Sequence, residues 1–180
     1  MGLAGVGVSQ SVAAKPAADV AAKITAAVKA AYPDAVINKM SNDSEDGLNF
    51  VEVSIAAKGT KIDLNVMPDG MIVESEERVE ISALPAKAAA ALKAATKGMT
   101  IRMTEIATTY AVADKNDPSG DKAVKLDQPT VAYEQGVRQG TKKGSFAVNA
   151  DGKILESPKW YKASGKEEDD EKAEGAEEKN

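Results

Sequence analysis

Four glutamates recur in matched pairs, Glu52 with Glu134 and Glu74 with Glu156, each pair 82 residues apart. Carboxylates related in this way could line one shared face and meet a basic partner. Alternation along half-buried strands also places carboxylates on the polar side of a sheet, with no further role. Asp69-Gly70 and Asp151-Gly152 repeat with the same offset of 82. Paired acids are the machinery of glycoside hydrolysis, but Asp-Gly between two alternating segments is foremost a hairpin signal, and that reading is preferred. The stretch DKNDPSGD, Asp114 to Asp121, gathers three Asp and one Asn in eight residues, a density of oxygen ligands that could wrap Ca²⁺. Pro118 takes the fifth position, where a side-chain oxygen is wanted, so a solvated loop is expected there instead. Ser54, Ser82 and Ser145 have lysines nearby but no S-x-x-K or G-x-S-x-G arrangement.

The chain contains no His and no Cys. That removes the commonest general base and metal ligand, the thiolate nucleophile, zinc-thiolate sites and disulfides. Only carboxylate or Ser-Lys chemistry remains, and neither is supported by spacing. The expectation is a protein that is not an enzyme, with no catalytic residues, no cofactor and no metal. Glu52, Glu134, Glu74 and Glu156 are kept as candidate partner-facing residues.

With 180 residues, 28% charged and 43% hydrophobic, the composition is that of an ordinary globular domain. The net charge of −5 is uneven, because much of the acid lies in Lys166 to Asn180. The remaining body is close to neutral and carries no basic patch with interleaved aromatics, which argues against nucleic acid as a partner. MGLAGVGVSQSVAAKPAA opens on small and apolar residues, has a small-x-small site near Ser11 to Ala13, and no base before Lys15. It reads as the back half of a secretory signal peptide whose basic start is missing, the alternative being an Ala/Gly leader on a cytoplasmic protein. No stretch is long and apolar enough for a membrane-spanning helix.

These residues need elements to hold them. Pro16 to Tyr32 is alanine-rich with Val20, Ile24 and Val28 every four residues, an amphipathic helix stopped by Pro33. Four strand-like segments follow, Ala35 to Met40, Leu48 to Ala57, Lys61 to Met67 and Met71 to Val79. Turn residues at Asn42 to Gly47, Lys58-Gly59 and Pro68 to Gly70 separate them, so a meander is expected. The pattern then restarts. Ser82 to Gly98 supplies a cap, an early proline, an Ala/Leu helix and a glycine stop, and Met99 to Tyr110, Val131 to Gln139, Gly144 to Ala150 and Lys153 to Trp160 read as strands. VMPDGMIVES and VNADGKILES, Val66 to Ser75 and Val148 to Ser157, match at six positions with the offset of 82. Ala31 to Ile37 lies on Ala95 to Ile101 at an offset of 64, so the second unit carries 18 extra residues, expected as a long surface loop within 113–130.

A helix followed by a meander, in tandem, with Leu84-Pro85 opening the second helix, Tyr133-Glu134 on a strand and FAVNADGKILES from Phe146 to Ser157, resembles the PepSY-like family and the broader group of β-lactamase-inhibitor-like folds. The resemblance covers residues 17 to 161 and implies an exported protein, periplasmic or secreted, that binds or inhibits another protein, for instance a peptidase or envelope protein. It brings no catalytic residues.

The resulting expectation is an α+β protein of two helix-plus-four-stranded antiparallel meander repeats, forming one extended curved sheet with both helices on one face. The leader would be 1–16, the first repeat 17–81, the second 82–162 with its insertion at 113–130, and 163–180 an acidic disordered tail. Val20, Ile24, Val28 and Leu92 would pack on Ile55, Leu64, Val66, Val137, Phe146 and Val148, leaving the other sheet face for solvent or a partner. The alternative function is a structural or self-assembling envelope subunit that uses its sheet edges.

Overall fold

The computed structural model describes residues 14–162, so the acidic tail and all but the end of the leader lie outside the described residues. The protein is α+β. Helix α1 spans Ala18–Ala31 and is followed by strands β1 (Val36–Glu45), β2 (Leu48–Ala57), β3 (Thr60–Val66) and β4 (Ile72–Arg78). A 3₁₀ turn at Ile81–Ala83 leads to α2 (Ala86–Ala95), then β5 (Thr100–Ala113), β6 (Ala123–Gln139), β7 (Lys142–Val148), β8 (Ile154–Glu156) and the two-residue β9 (Tyr161–Lys162). Among the described residues, the nine strands form one antiparallel sheet in chain order β1 to β8, with β9 beside β7, and β4 pairs directly with β5.

Helix α1 places Asp19 in its first turn and Lys29 in its last, complementing the backbone dipole at both ends. Its last bond runs from the Tyr32 N–H to Val28 O at 2.7 Å, just ahead of Pro33. Ile24 and Val28 are fully buried against Val51, Val53, Ile55, Leu64 and Val66. A second cluster joins Ala88 and Leu92 of α2 to Val137, Phe146 and Val148, with Trp160 at its margin. Every residue of the expected core is therefore buried except Val20, which packs at the edge.

Several boundaries differ from the sequence expectation. Ser82 lies in the 3₁₀ turn, and α2 starts at Ala86 behind Pro85 with no side-chain cap; proline at that point presets the helical entry without needing a hydroxyl. Strand β1 runs on through Asn42 to Glu45, and its turn contracts to Asp46 and Gly47 with φ of 49° and 79°. Two successive left-handed residues make the tight hairpin turn whose twist matches the strands it joins. The 113–130 insertion is a loop only over 114–122, because β5 and β6 extend into it as a paired arm, Ala111 opposite Lys125 and Ala113 opposite Ala123. Strand β8 is three residues long, and the chain then returns to β7 as β9.

The arm folds onto the first hairpin. The Asn49 N–H donates to Gly120 O at 2.8 Å, and the Asn49 side-chain amide donates to Ser119 O at 2.8 Å and Asp121 Oδ1 at 3.0 Å. Gly120 has φ of +78°, and a Cβ there would lie 2.7 Å from Gly47 O, so this close approach needs glycine. Beneath the arm, Leu48, Phe50, Met67, Val73 and Ala111 form a third apolar cluster. This end of the sheet face expected to be open is thus covered.

Candidate functional site

Residues directly paired across strands project to the same side of a sheet, which lets the register assign faces. Ile62, Glu77, Ile106, Tyr133 and Val148 form one continuous row from β3 to β7. One residue away along each strand, the opposite side is carboxylate-rich. Glu52 pairs with Asn65 and Asn65 with Glu74; Asp63 pairs with Glu76; Glu105 pairs with Glu134, Glu134 with Ala147, and Ala147 with Glu156. The four glutamates singled out from the sequence therefore share one side with Asp63, Glu76 and Glu105.

That side is curled into a groove of about 380 Å³. Its lining includes Asp43 and Glu45 of β1, Glu52 of β2, Glu76 of β4, Glu105 of β5, Glu134 of β6, and Glu156, Lys159 and Tyr161 from the end of the chain. In a flat sheet, β1 and β8 would stand roughly 34 Å apart at seven strand spacings. Their joint presence around one groove requires strong coiling, and Asp46 of the first hairpin accordingly feels the charge of Lys159. Glu52, Glu134 and Glu156 line the groove; Glu74 is not part of its lining, although its charge reaches Glu134. Bases enter as well, Arg102, Lys143 and Lys159.

Crowding changes the charge state of these acids. Burial, then Glu74, Glu105 and Glu156, push Glu134 from 4.5 up to about 8, although Ser145 Oγ donates to it at 3.4 Å. Burial raises Glu76 well above 4.5, helped by Glu105 and Glu134. Burial also raises Glu105, against the pull of Arg78, whose Nε stands 3.8 Å from Glu105 Oε1, an ion-pair distance too long for a hydrogen bond. Glu74 is raised by burial but holds hydrogen bonds from Thr109 Oγ1 at 3.0 Å and Asn65 Nδ2 at 3.2 Å, both of which favour its ionised form. Glu52 is raised by burial and by Asp63. At neutral pH, Glu134 is chiefly a carboxylic acid, able to donate a hydrogen bond to a carbonyl as well as accept one.

Other sequence candidates resolve as turns. Asp69 Oδ1 accepts the Met71 N–H at 2.9 Å, as a side chain does when it stabilises its own bend. Asp151 meets Lys87 Nζ of α2 at 3.1 Å. In the 114–121 loop, Asp114 Oδ1 accepts from Asn116 and Asp117 Oδ1 from Ser119, so both carboxylates are engaged in local turns. Among the described residues, no group of three acidic side chains has metal-holding geometry.

A second, shallower hollow lies beside the C-terminal end of α2, where Thr96, Gln135 and Thr104 form a buried chain. Thr96 Oγ1 lies 3.1 Å from Gln135 Oε1, and Gln135 Nε2 donates to Thr104 Oγ1 at 3.1 Å. This polar chain satisfies side chains inside the core and was not legible from the sequence.

No family model and no curated protein matches this chain. Solved structures do. A BLIP-like protein from Bacteroides fragilis has TM-score 0.51 at 14% identity, over 85% of this chain and 92% of its own. A periplasmic-type protein of Bacteroides eggerthii has TM-score 0.54 at 12% identity, over 81% and 89% respectively. A DUF2874 family protein of Bacteroides uniformis has TM-score 0.51 at 16% identity, over 79% and 89%. At such identities the likeness is one of fold, and this chain adopts a BLIP-like fold.

Proposed function

We propose that the protein is an exported, non-enzymatic domain of PepSY-like type that binds or inhibits another protein through its curled groove. The observation that carries this reading is the groove itself, drawn from β1 to β9 and mixing neutral carboxyls, carboxylates and bases. Such a surface offers many hydrogen bonds to a polypeptide. It lacks the His or Cys that most covalent and acid–base mechanisms use. The BLIP-like and periplasmic-type neighbours favour a protein partner and export.

Internal duplication is supported by paired positions. Ile24 and Val28 correspond to Ala88 and Leu92 at the offset of 64, and all four are fully buried. Ile55 and Val66 correspond to Val137 and Val148 at the offset of 82, again fully buried. A Cβ on Gly70 would meet Ala27 and Lys23 O of α1, and one on Gly152 would meet Ala91 and Lys87 O of α2. Each Asp-Gly hairpin thus presses on the helix of its own unit at the same two positions. The continuous row from Ile62 to Val148 joins the two helix-packed clusters, which supports both helices lying on one face.

The test is recovery of partners from a bacterial envelope extract on immobilised protein. Ser145→Trp, which fills the groove, should abolish recovery of proteins that the wild type retains, whereas Lys23→Glu on the exposed side of α1 should not. The same set of proteins on all three baits would remove the groove from the argument.

A further inference from the structure

The groove is acidic out of proportion to its bases. Seven of its lining residues are Asp or Glu, and three are Arg or Lys. Register sets three of these acids side by side. Glu105 of β5 stands directly opposite Glu134 of β6, and Glu76 of β4 stands opposite Ala107, two residues along from Glu105. Directly opposed side chains have Cβ atoms about 5 Å apart and diagonal ones about 7–8 Å, close enough for three carboxyls to converge on one cation. On the same side Gly136 leaves the floor without a competing polar group, since a Cβ there would press on Met103 Cγ at 3.0 Å.

The middle acid lacks a donor. The Glu105 side chain is only 8% exposed, and it accepts no hydrogen bond from another described residue. Its basic neighbour Arg78 holds Nε 3.8 Å away, and that Nε is itself buried without a hydrogen-bond partner. Glu76 is likewise without a hydrogen bond or ion pair to a described residue, and Glu134 receives one only from Ser145 Oγ. Buried polar groups are normally satisfied, and leaving one unmet is costly. An ammonium or guanidinium group would bring several donors at once.

We propose that the partner protein enters the groove with a lysine or arginine side chain on a protruding segment, seated between Glu76, Glu105 and Glu134. This rests on the groove being the binding surface and adds the chemistry of what it receives. Seating a cation also changes the protonation of its hosts. Glu134 keeps its proton up to about 8 in the free protein, through burial and then Glu74 of β4, Glu105 of β5 and Glu156 of β8. Glu76 is raised by burial, then by Glu105, Glu134, Glu74 and Asp63 of β3. The bases on this side, Arg78, Arg102, Lys143 and Lys159, leave both acids raised. A positive charge nearby favours the ionised form, so binding expels protons. Affinity therefore rises with pH while the free groove still holds them, and levels off above about 8.

The probe is the capped hexapeptide GSKKSG, compared with GSQQSG and followed by amide shifts of the full chain. GSKKSG should bind about tenfold or more tighter, with shifts centred on residues 76, 105 and 134. Between pH 6 and pH 8 its affinity should rise by up to about tenfold per pH unit for each proton released. E76Q/E134Q should weaken it about tenfold and flatten the pH profile, whereas D34N/D127N, on exposed acids outside the groove, should leave both unchanged. Calorimetry of the unaltered protein in two buffers of different ionisation enthalpy should show net proton release. Equal binding of the two peptides, shifts that map to another surface, or no proton release would overturn the proposal. Should that happen while Ser145→Trp still abolishes partner recovery from the envelope extract, the groove stands and only its cationic chemistry falls.

Discussion

Glu134 shows what crowding does to one side chain. Its ordinary value near 4.5 rises to about 8 in the folded protein, with burial the largest cause. Between those values the folded chain holds a proton that the unfolded chain releases, so stability falls as pH rises through this window and levels off above it. Each such group contributes a slope of up to about 1.4 kcal/mol per pH unit, and Glu76 acts in the same direction. The melting temperature should therefore be higher at pH 5 than at pH 8, and Glu134→Gln should flatten the profile. A wild-type midpoint that is level or rising across this range would contradict that account of the groove. Glu52 and Glu134 could be picked out because each has a counterpart 82 residues away. Glu76 could not, since the same offset falls on Pro158, and Glu105 has no acidic counterpart at either offset. Their weight in the site comes from cross-strand neighbours, which sequence spacing does not reveal.

At the scale of elements, helix α2 and the β5–β6 arm make contrasting tests. Leu92 is fully buried between α2 and the sheet, so Leu92→Ala should cost about 2–5 kcal/mol in denaturant unfolding. Ile101, on β5, is 42% exposed, and Ile101→Ala should cost well under half of that. In the arm, Gly120→Ala places a Cβ against Gly47 O and strains a left-handed backbone, so it should detach the loop from Asn49. The expected result is a loss of about 1–3 kcal/mol with faster proteolysis within 114–122. Unchanged cleavage would mean that the loop is held by other contacts. Helix interiors and alternating strands were readable here because periodicity is a local property of the chain. Strand ends were not: β1 passed through its polar Asn42 to Glu45 because β2 offered a continuous ladder. The arm likewise became strand because β5 and β6 satisfied each other's backbone.

Across the whole molecule, coiling of the sheet creates the site. Asp43 of β1 and Tyr161 of β9 meet around one groove although they are 118 positions apart in the chain. Filling it with Ser145→Trp should leave the two helix-packed cores intact, because Ser145 lies on the other side of β7 from Phe146. Its unfolding midpoint should stay within about 1 kcal/mol of wild type, and a larger loss would show that the groove floor is part of the core. The sequence by itself determined the α+β class, the two helices, the meander order, the Asp-Gly turns and the centre of the two helix-packed clusters, though not the third cluster under the arm, since each follows from residue spacing within about twenty positions. A curved sheet was expected; only the tertiary structure decided that it curls far enough for β1 and the end of the chain to share one groove, that the inserted arm seals one end on Asn49, and that Glu76, Glu105 and Glu134 crowd together until Glu134 is protonated at neutral pH. Those outcomes depend on distances between strands far apart in the chain, and an acid's charge is set by its neighbours in space, which local patterning does not encode.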